Sequence, residues 1–228
     1  MFSIIIPTHN EEESIYYTLQ NLEKLEGEFE VIIVDSNVDS YTKEKIYTYS
    51  GNIIPKIFDA TYPGRANQMN IGAKNANGKI LLFLHADTTL EKNALNAISK
   101  KILEGYIGGA FTLHFQTSKI IYSFISFYSN CRAKLFHIYH GDQTQFIKKE
   151  VFDKIGGFPD IPLMEDVVLS KKMKAFGPVV QISSLSTTSP RRIESYGIIK
   201  SIFRYFYIKI LFFFHTSPEK LAKIYNRA

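Results

Sequence analysis

KILLFLHAD, residues 79–87, sets five apolar residues, Ile80 to Leu84, directly against His85 and Asp87. The apolar run is too short for a helix of its own and too continuous for a strand with one wet face, so it reads as a strand buried on both sides. In an open α/β sheet the ligand crevice lies beyond the carboxyl ends of such strands. An aspartate there stands where ligands stand. Upstream, short apolar runs alternate with helical patterns. FSIIIP (2–7), EVIIVD (30–35) and NIIPKIFD (52–59) read as strands, and EESIYYTLQNLEKL (12–25) and DSYTKEKIYTYS (39–50) as helices. GRANQMNIGAKNANG (64–78) reads as a helix stopped by Gly78. This is the alternation of βαβ units around a parallel sheet. It gathers Thr8 to Glu11, Asp35 with Ser36, and His85 to Asp87 at one edge.

The chain has 228 residues, 45% of them apolar, which suits one substantial domain with an appendage rather than disorder. Its 27 Lys plus Arg against 22 Asp plus Glu give +5. That is mild beside the concentrated basic stripe of a nucleic-acid binder, and it suits an anionic small ligand or an acidic membrane surface. Cys131 is the single cysteine, which excludes an internal disulfide and a cysteine zinc site, fits a reducing compartment, and is expected to be a buried inert thiol. The start, MFSIIIPTHNEEES, lacks a basic region before its short apolar run, so no leader is expected.

From about residue 105 the pattern changes. GGAFTLHF (108–115) reads as a strand with paired glycines, followed by an aromatic segment, KIIYSFISFYSNCRAKLFHIYHG (119–141). DQTQFIKKEVFDKIGGF (142–158) reads as a strand and short helix, and MEDVVLSKKMKAFG (164–177) as a helix closed by Gly177 and Pro178. The last stretch, residues 196–228, reads as a long aromatic helix and a short one. The expected division is therefore a body over residues 1–192 and a helical appendage over 193–228.

SIIIPTHNEEESI, VIIVDS, GRANQMNIGAKNANGKILLFLHADT, GGF and MEDVVLSKKMKAFG occur here in an order that resembles the family 2 glycosyltransferases, over roughly residues 2 to 192. The likeness is nearest to the small bacterial group described as transferase 2, radical-SAM/selenodomain-associated. It implies a GT-A nucleotide-diphospho-sugar transferase fold with a mostly parallel central sheet. It also implies a divalent metal, Mg²⁺ or Mn²⁺, and inverting transfer of a sugar from a nucleotide-diphospho-sugar, a UDP-sugar as first guess, to an acceptor hydroxyl.

A sugar nucleotide needs polar groups for base and ribose and cationic help for its phosphates. Pro7, Thr8, Asn10 and Glu11 after the first strand and Asp35 at the end of the second suit the nucleoside, because carboxylates accept from N–H and O–H donors. Asn10 followed by Glu13 also fits a helix capping box, and Asp35 a turn cap. Arg65 at a helix start suits the diphosphate. Gln68 and Asn70 read as packing or capping groups. In HAD the resemblance puts Asp87 on the metal, while His85 stands where the wider family carries a first aspartate and Ala86 lies between them. One carboxylate plus phosphate oxygens suffices for Mg²⁺. A histidine ligand would favour Mn²⁺, but His85 is better suited to donate to ribose or a buried carbonyl. Transfer also needs a general base. The resemblance gives that part to Asp166, with Glu165 in support, although both would also sit comfortably at a helix start.

Gly108, Gly109 and Gly141 would allow close backbone approach on the acceptor side, with Asp142 and Gln143 on acceptor hydroxyls, or they simply form turns. Arg191 and Arg192 would reach the pyrophosphate or face acidic lipid. His9, His114, His137, His140 and His215 show no metal-ligand spacing and are assigned no chemistry. Lys200, Arg204 and Lys209 interrupt the Ile198–His215 stretch, so it does not span a bilayer. It suits an interfacial helix with its basic residues on one face, a lid, or a homodimer face. The expected acceptor is a carbohydrate or a lipid-linked one, and the expected location is cytoplasmic or peripheral at the inner membrane face. Two rivals remain: a sugar-nucleotide pyrophosphorylase, whose expected glycine-rich opening loop IIIPTHNEEES lacks, and a non-catalytic nucleotide-sugar-binding or membrane-docking module, favoured by the missing first aspartate.

Overall fold

The structure, a computed structural model, describes residues 1–37, 41–60 and 62–226. Its first half follows the alternation read from the sequence: β1 (Phe2–Thr8), α1 (Ile15–Leu22), β2 (Phe29–Asp35), α2 (Tyr41–Tyr47), β3 (Lys56–Asp59), α3 (Arg65–Lys74) and β4 (Ile80–Phe83). The four strands run parallel, with Thr8, Asp35 and Asp59 level with one another at their carboxyl ends. Successive residues of a strand face opposite sides. Ile4, Ile6, Ile33 and Leu82 accordingly enter one core with α1, while Ile5, Ile32, Leu81 and Phe83 enter a second with α3. Each fully buried Ile or Leu contributes roughly 1.5–3 kcal/mol, so a one-residue slip of register is strongly disfavoured.

The chain continues through β5 (Thr88–Leu90), α4 (Ala94–Leu103), β6 (Gly108–Phe115) and α5 (Ile120–Phe136) to a 3-10 turn (Gly141–Gln143). β7 (Gln145–Lys148), α6 (Lys149–Lys154), α7 (Glu165–Phe176) and β8 (Val179–Thr188) complete the body. α8 (Arg191–Ser195), α9 (Ile198–Phe213) and α10 (Pro218–Asn226) follow. Among the described residues the strands form one eight-stranded sheet in the order β3-β2-β1-β4-β7-β6-β8-β5. β7 and β5 oppose their neighbours and the rest are parallel, so the sheet is mixed but mostly parallel.

Several boundaries differ from the expectations. The first residues expected of α2, Asp39 and Ser40, lie outside the described residues. α3 ends at Lys74, four residues before Gly78. Gly78 is needed for another reason: a Cβ there would fall 2.6 Å from the Phe2 carbonyl carbon, so only glycine lets this loop lie on β1. Gly108 and Gly109 lie inside β6, where a Cβ on Gly109 would collide with the Val180 carbonyl oxygen. They serve sheet packing rather than the acceptor side. β8 and α4 were not expected at all. β8 spells VVQISSLSTT, a run whose hydroxyl residues hide the strand pattern, although Ser184, Ser186 and Thr188 are buried. Cys131 is half-buried rather than buried.

The appendage is docked on the body. Ile208 of α9 and Leu221 of α10 share a buried cluster with Leu163, Met164 and Val167 around the start of α7. Ser201 Oγ donates to the Ile193 carbonyl at 3.3 Å, and Arg204 Nη1 to the Tyr225 carbonyl at 3.2 Å. Arg204 also lies over the Tyr196 ring and Lys209 over the Tyr128 ring of α5. The basic residues therefore do not form an outer face: Lys200 is exposed, but Arg204 and Lys209 turn inward. Ile199, Phe203, Phe206, Ile210 and Phe213, spaced by four and three residues along one helix face, are left exposed instead. No helix among the described residues is long and apolar enough to cross a membrane.

Candidate active site

β4 stops at Phe83, and Leu84 to Asp87 run on past the sheet edge. They are held there by backbone and side-chain bonds. Leu84 N–H donates to Ile5 at 2.9 Å, Thr18 Oγ1 of α1 donates to the Ala86 carbonyl at 2.6 Å, and Ser189 N–H donates to the Asp87 carbonyl at 3.2 Å. Asn21, one turn along α1, holds both backbone groups of Leu90. Ala86 is buried, so its part is to fix the turn that lets His85 and Asp87 flank it.

On the nucleoside edge, Pro7 and Thr8 are buried in β1, and Gln68 Nε2 bridges the Thr8 and Val34 carbonyls at 2.6 and 2.8 Å. Gln68 thus satisfies two acceptors where β1 and β2 part. Asn70 does similar work, pairing with both backbone groups of Phe158. Asp35 is 1% exposed and accepts from Asn37 N–H at 3.0 Å, an Asx turn that closes β2. Asn10 does not form a capping box with Glu13. Ser14 occupies the position before α1, and Asn10, at φ 56, accepts instead from Asn37 Nδ2 at 3.1 Å. His9 pairs with Ser36 Oγ at 2.9 Å.

Glu11 and Asp87 lie near each other. Burial first, and the charge of Asp87 next, push the Glu11 carboxyl above its ordinary value, while Arg191 pulls the other way. Arg191 Nη2 stands 3.3 Å from Glu11 and its Nη1 2.5 Å from Glu13. That places Arg191 beside Glu11 and Glu13. Arg192 lies over the Tyr225 ring of α10 at 4.9 Å. Among the described residues no three His, Cys, Asp or Glu side chains cluster as metal ligands, so these residues form no cage of their own. A hard divalent cation does not require one, because one carboxylate together with diphosphate oxygens and water completes its shell. The mutually repelling carboxylates of Glu11 and Asp87 fit such a cation.

At the other wall, α7 begins at Glu165 and Asp166 after Met164, which is held left-handed at φ 70. Arg65, the first residue of α3, sets Nε 3.0 Å from Glu165 Oε1, while Glu165 Oε2 is buried without a partner among the described residues. Burial pushes the Glu165 carboxyl up, opposed by Arg65 and reinforced by Asp166. The same carboxylates raise the Arg65 guanidinium. Asp166 Oδ2 accepts from Gly141 N–H at 2.7 Å and lies 3.5 Å from His140 Nδ1. Burial would raise the Asp166 carboxyl, but the His140 hydrogen bond, the charge of Arg65 and the Gly141 N–H outweigh it and hold it well below the usual carboxylate range.

His85 joins the two walls. It lines one small cavity with Gly141, Glu165 and Asp166, and a Cβ on Gly141 would fall 2.6 Å from His85 Nε2. Gly141 therefore makes room for the imidazole. His85 feels the charges of Asp87, Asp142 and Asp166 together. Its ring is turned toward Gly141 and Asp166. Burial and Arg65 keep that ring neutral.

Gln143 is fully buried, with its carbonyl accepting from Arg132 Nη2 at 2.9 Å and from His140 N–H at 3.2 Å. It braces the 3-10 turn and does not reach an acceptor. His140 and Arg132 escaped the sequence reading. The pairing of His140 with Asp166, 26 positions away, leaves no local pattern. Arg132 sits in an apolar helical stretch without a motif around it.

Residues 3–159 match the family described as glycosyl transferase family 2. A probable glycosyltransferase of Bacillus subtilis strain 168, YdaM, is 26% identical over 218 residues, covering 86% of this chain and 52% of that protein. The poly(ribitol-phosphate) beta-N-acetylglucosaminyltransferase TarS of Staphylococcus aureus strain Mu50 is 30% identical over 99 residues, covering 41% of this chain and 17% of its own length. The chain thus spans about half of one relative and less of the other. The crystal structure of S. aureus TarS residues 1–349 superposes with a TM-score of 0.66 at 19% identity, covering 92% of this chain and 65% of that one. The mannosyltransferase PcManGT from Pyrobaculum calidifontis, solved with GDP-Man and Mn²⁺, gives 0.66 at 22%, covering 82% and 56%. The GT-A fold is common to all three chains.

Proposed function

The chain belongs to glycosyl transferase family 2, and from that membership we propose that it moves a sugar from a nucleotide-diphospho-sugar to an acceptor hydroxyl with inversion at the anomeric carbon. The observation that carries this reading is His85, two residues before Asp87 at the end of β4, lining one small cavity with Gly141, Glu165 and Asp166. Asp35, Asn10 and Glu11 hold the nucleoside at the sheet edge, with Thr8 and Pro7 shaping it. Arg65 faces the phosphates from the start of α3. Asp87 holds the divalent cation, Mg²⁺ or Mn²⁺, which when bound stabilises negative charge on the departing diphosphate.

Asp166 is the general base. The acceptor oxygen forms its bond to the anomeric carbon as the bond from that carbon to the diphosphate oxygen breaks. The electron pair leaves with the nucleoside diphosphate, and the acceptor proton passes to Asp166. Its low proton affinity keeps it ionised at neutral pH. The acceptor hydroxyl becomes acidic only as the new bond forms, so proton transfer is late. Glu165 steadies Arg65, and the neutral His85 offers a ring N–H to the sugar or the ribose. A UDP-sugar is the first donor to try, because TarS has been solved with UDP and with UDP-GlcNAc. The acceptor enters beside Gly141 and Asp142, opposite the donor.

The exposed apolar faces of α9 and of α5, where Ile120, Phe124, Phe127 and Leu135 stand in solvent, support docking at the inner face of a membrane, with a lipid-linked or carbohydrate acceptor presented there. A second copy of the chain is the competing occupant. The test is a nucleotide-sugar panel with mass-spectrometric readout of donor hydrolysis and transfer, run with and without EDTA. Turnover of one donor, lost in EDTA and restored by Mg²⁺ or Mn²⁺, is expected. Tight nucleotide binding without turnover of any donor would favour a binding module.

A further inference from the structure

Two cationic side chains, Arg132 and Lys209, feel the charges of Asp142 and Asp166, yet the guanidinium keeps N–H groups without an acceptor among the described residues. Arg132 of α5 donates one bond through Nη2 to Gln143, but its Nε and Nη1 are buried without a hydrogen-bond partner among the described residues. Asp142 Oδ1 is buried without one too, so the nearest carboxylate does not satisfy the guanidinium. Lys209 reaches in from α9 with Nζ 5.6 Å from the Tyr128 ring centre. Arg132 and Lys209 lie within electrostatic reach of each other, of His140, and of Asp142 and Asp166. A buried guanidinium left with free N–H groups costs stability unless something accepts from them. A planar fork beside a flexible ammonium is the usual pairing for a tetrahedral oxyanion.

We propose that Arg132 and Lys209 bind a phosphate group carried by the acceptor, next to the hydroxyl that Asp166 deprotonates. This rests on the transferase reading and names the acceptor's chemical class. The anion stays intact: it is held, not transferred. Burial, and then the repulsion of Arg132, bring the Lys209 ammonium down to about 8, while Asp142 and Asp166 pull the other way. The Tyr128 ring and His140 complete its surroundings. A phosphate arriving between the cations offsets the Arg132 repulsion and draws the ammonium back up. The appendage thereby belongs to the acceptor site, since Lys209 is its contribution.

The probes are octyl phosphate, glycerol 3-phosphate and octanol, titrated calorimetrically into the full chain, with UDP and GDP binding measured alongside. Octyl phosphate is expected to bind at least tenfold tighter than octanol. Lys209→Gln should weaken it about tenfold at pH 7 without moving nucleotide affinity, and Arg132→Lys should do so by a smaller factor. Wild-type affinity for the phosphate should fall severalfold from pH 7 to pH 9 as Lys209 loses its charge, and the Lys209→Gln variant should be flat across that range. Octyl phosphate binding more tightly than glycerol 3-phosphate assigns the phosphate to a lipid, and equal affinity assigns it to a soluble ester. If a nucleotide binds but octyl phosphate does no better than octanol, or Lys209→Gln changes nothing, this proposal is overturned while the transferase reading stands. If neither nucleotide binds, the transferase reading itself fails.

Discussion

Asp166 is a weak base by its surroundings, and His140 is the main cause. Replacing His140 by Ala removes one stabilising partner of the carboxylate, so the Asp166 pKa rises. The acidic limb of the pH–rate profile should then move to higher pH, with turnover at pH 7 changed less than turnover at pH 5. An unmoved limb would separate His140 from the base. Glu30 gives a cleaner test of electrostatics away from the crevice. Burial would raise its carboxyl, but Lys56 Nζ and Ser3 Oγ at 2.6 Å, with Asn77 N–H, bring it down to about 2. Its folded value lies below its unfolded one, so its stabilisation is complete above about pH 4.5 and is lost as pH falls toward 2. Discounted for solvent screening, it contributes about 2 kcal/mol. Glu30→Gln should lower urea stability by about that much at pH 7 and by only about a quarter as much at pH 2.5, read from the shift of the unfolding midpoint.

At the scale of elements, the appendage and α7 are coupled. Met164 holds a left-handed conformation that costs a non-glycine residue on the order of 1 kcal/mol, and it persists where neighbours fix it. Those neighbours include Ile208 and Leu221. Leu221→Ala, at a fully buried position, should destabilise the fold by roughly 2–4 kcal/mol in urea unfolding. It should also slow transfer more than it weakens nucleotide binding, because α7 carries Asp166 and the nucleoside edge lies across the sheet. The parallel half was legible in the sequence because β1, β2 and β4 are buried on both faces and so spell continuous Ile, Val and Leu. β8 was not, since its inward hydroxyls are satisfied by partners such as Thr144 and Asp142 that no local window contains. That Thr8, Asp35 and His85 to Asp87 stand at or just past strand ends was legible for the same reason as the strands. The packing of Gly109 against β8 and the burial of Gln143 beneath Arg132 were not legible, because both depend on contacts from distant elements.

For the whole molecule, the inward turn of Arg204 and Lys209 leaves a surface whose outer character is aromatic and aliphatic rather than basic. Adhesion should therefore come mainly from apolar insertion. Flotation with vesicles of neutral and of anionic lipid should recover the protein in both, with a modest gain from anionic lipid, and Phe203→Ser with Phe206→Ser should abolish recovery in each. Concentration-dependent dimerisation in solution, lost in the same variant, with no flotation by wild type, would assign this face to a second copy. The proposed function sets the donor on the Asp87 side of the body beneath it and the acceptor on the Asp166 side. The most direct measurement is single-turnover sugar transfer by Asp166→Asn, with nucleotide affinity determined on the same preparation. Transfer slowed at least a hundredfold with unchanged nucleotide affinity is the expected result, and transfer at the wild-type rate would contradict it.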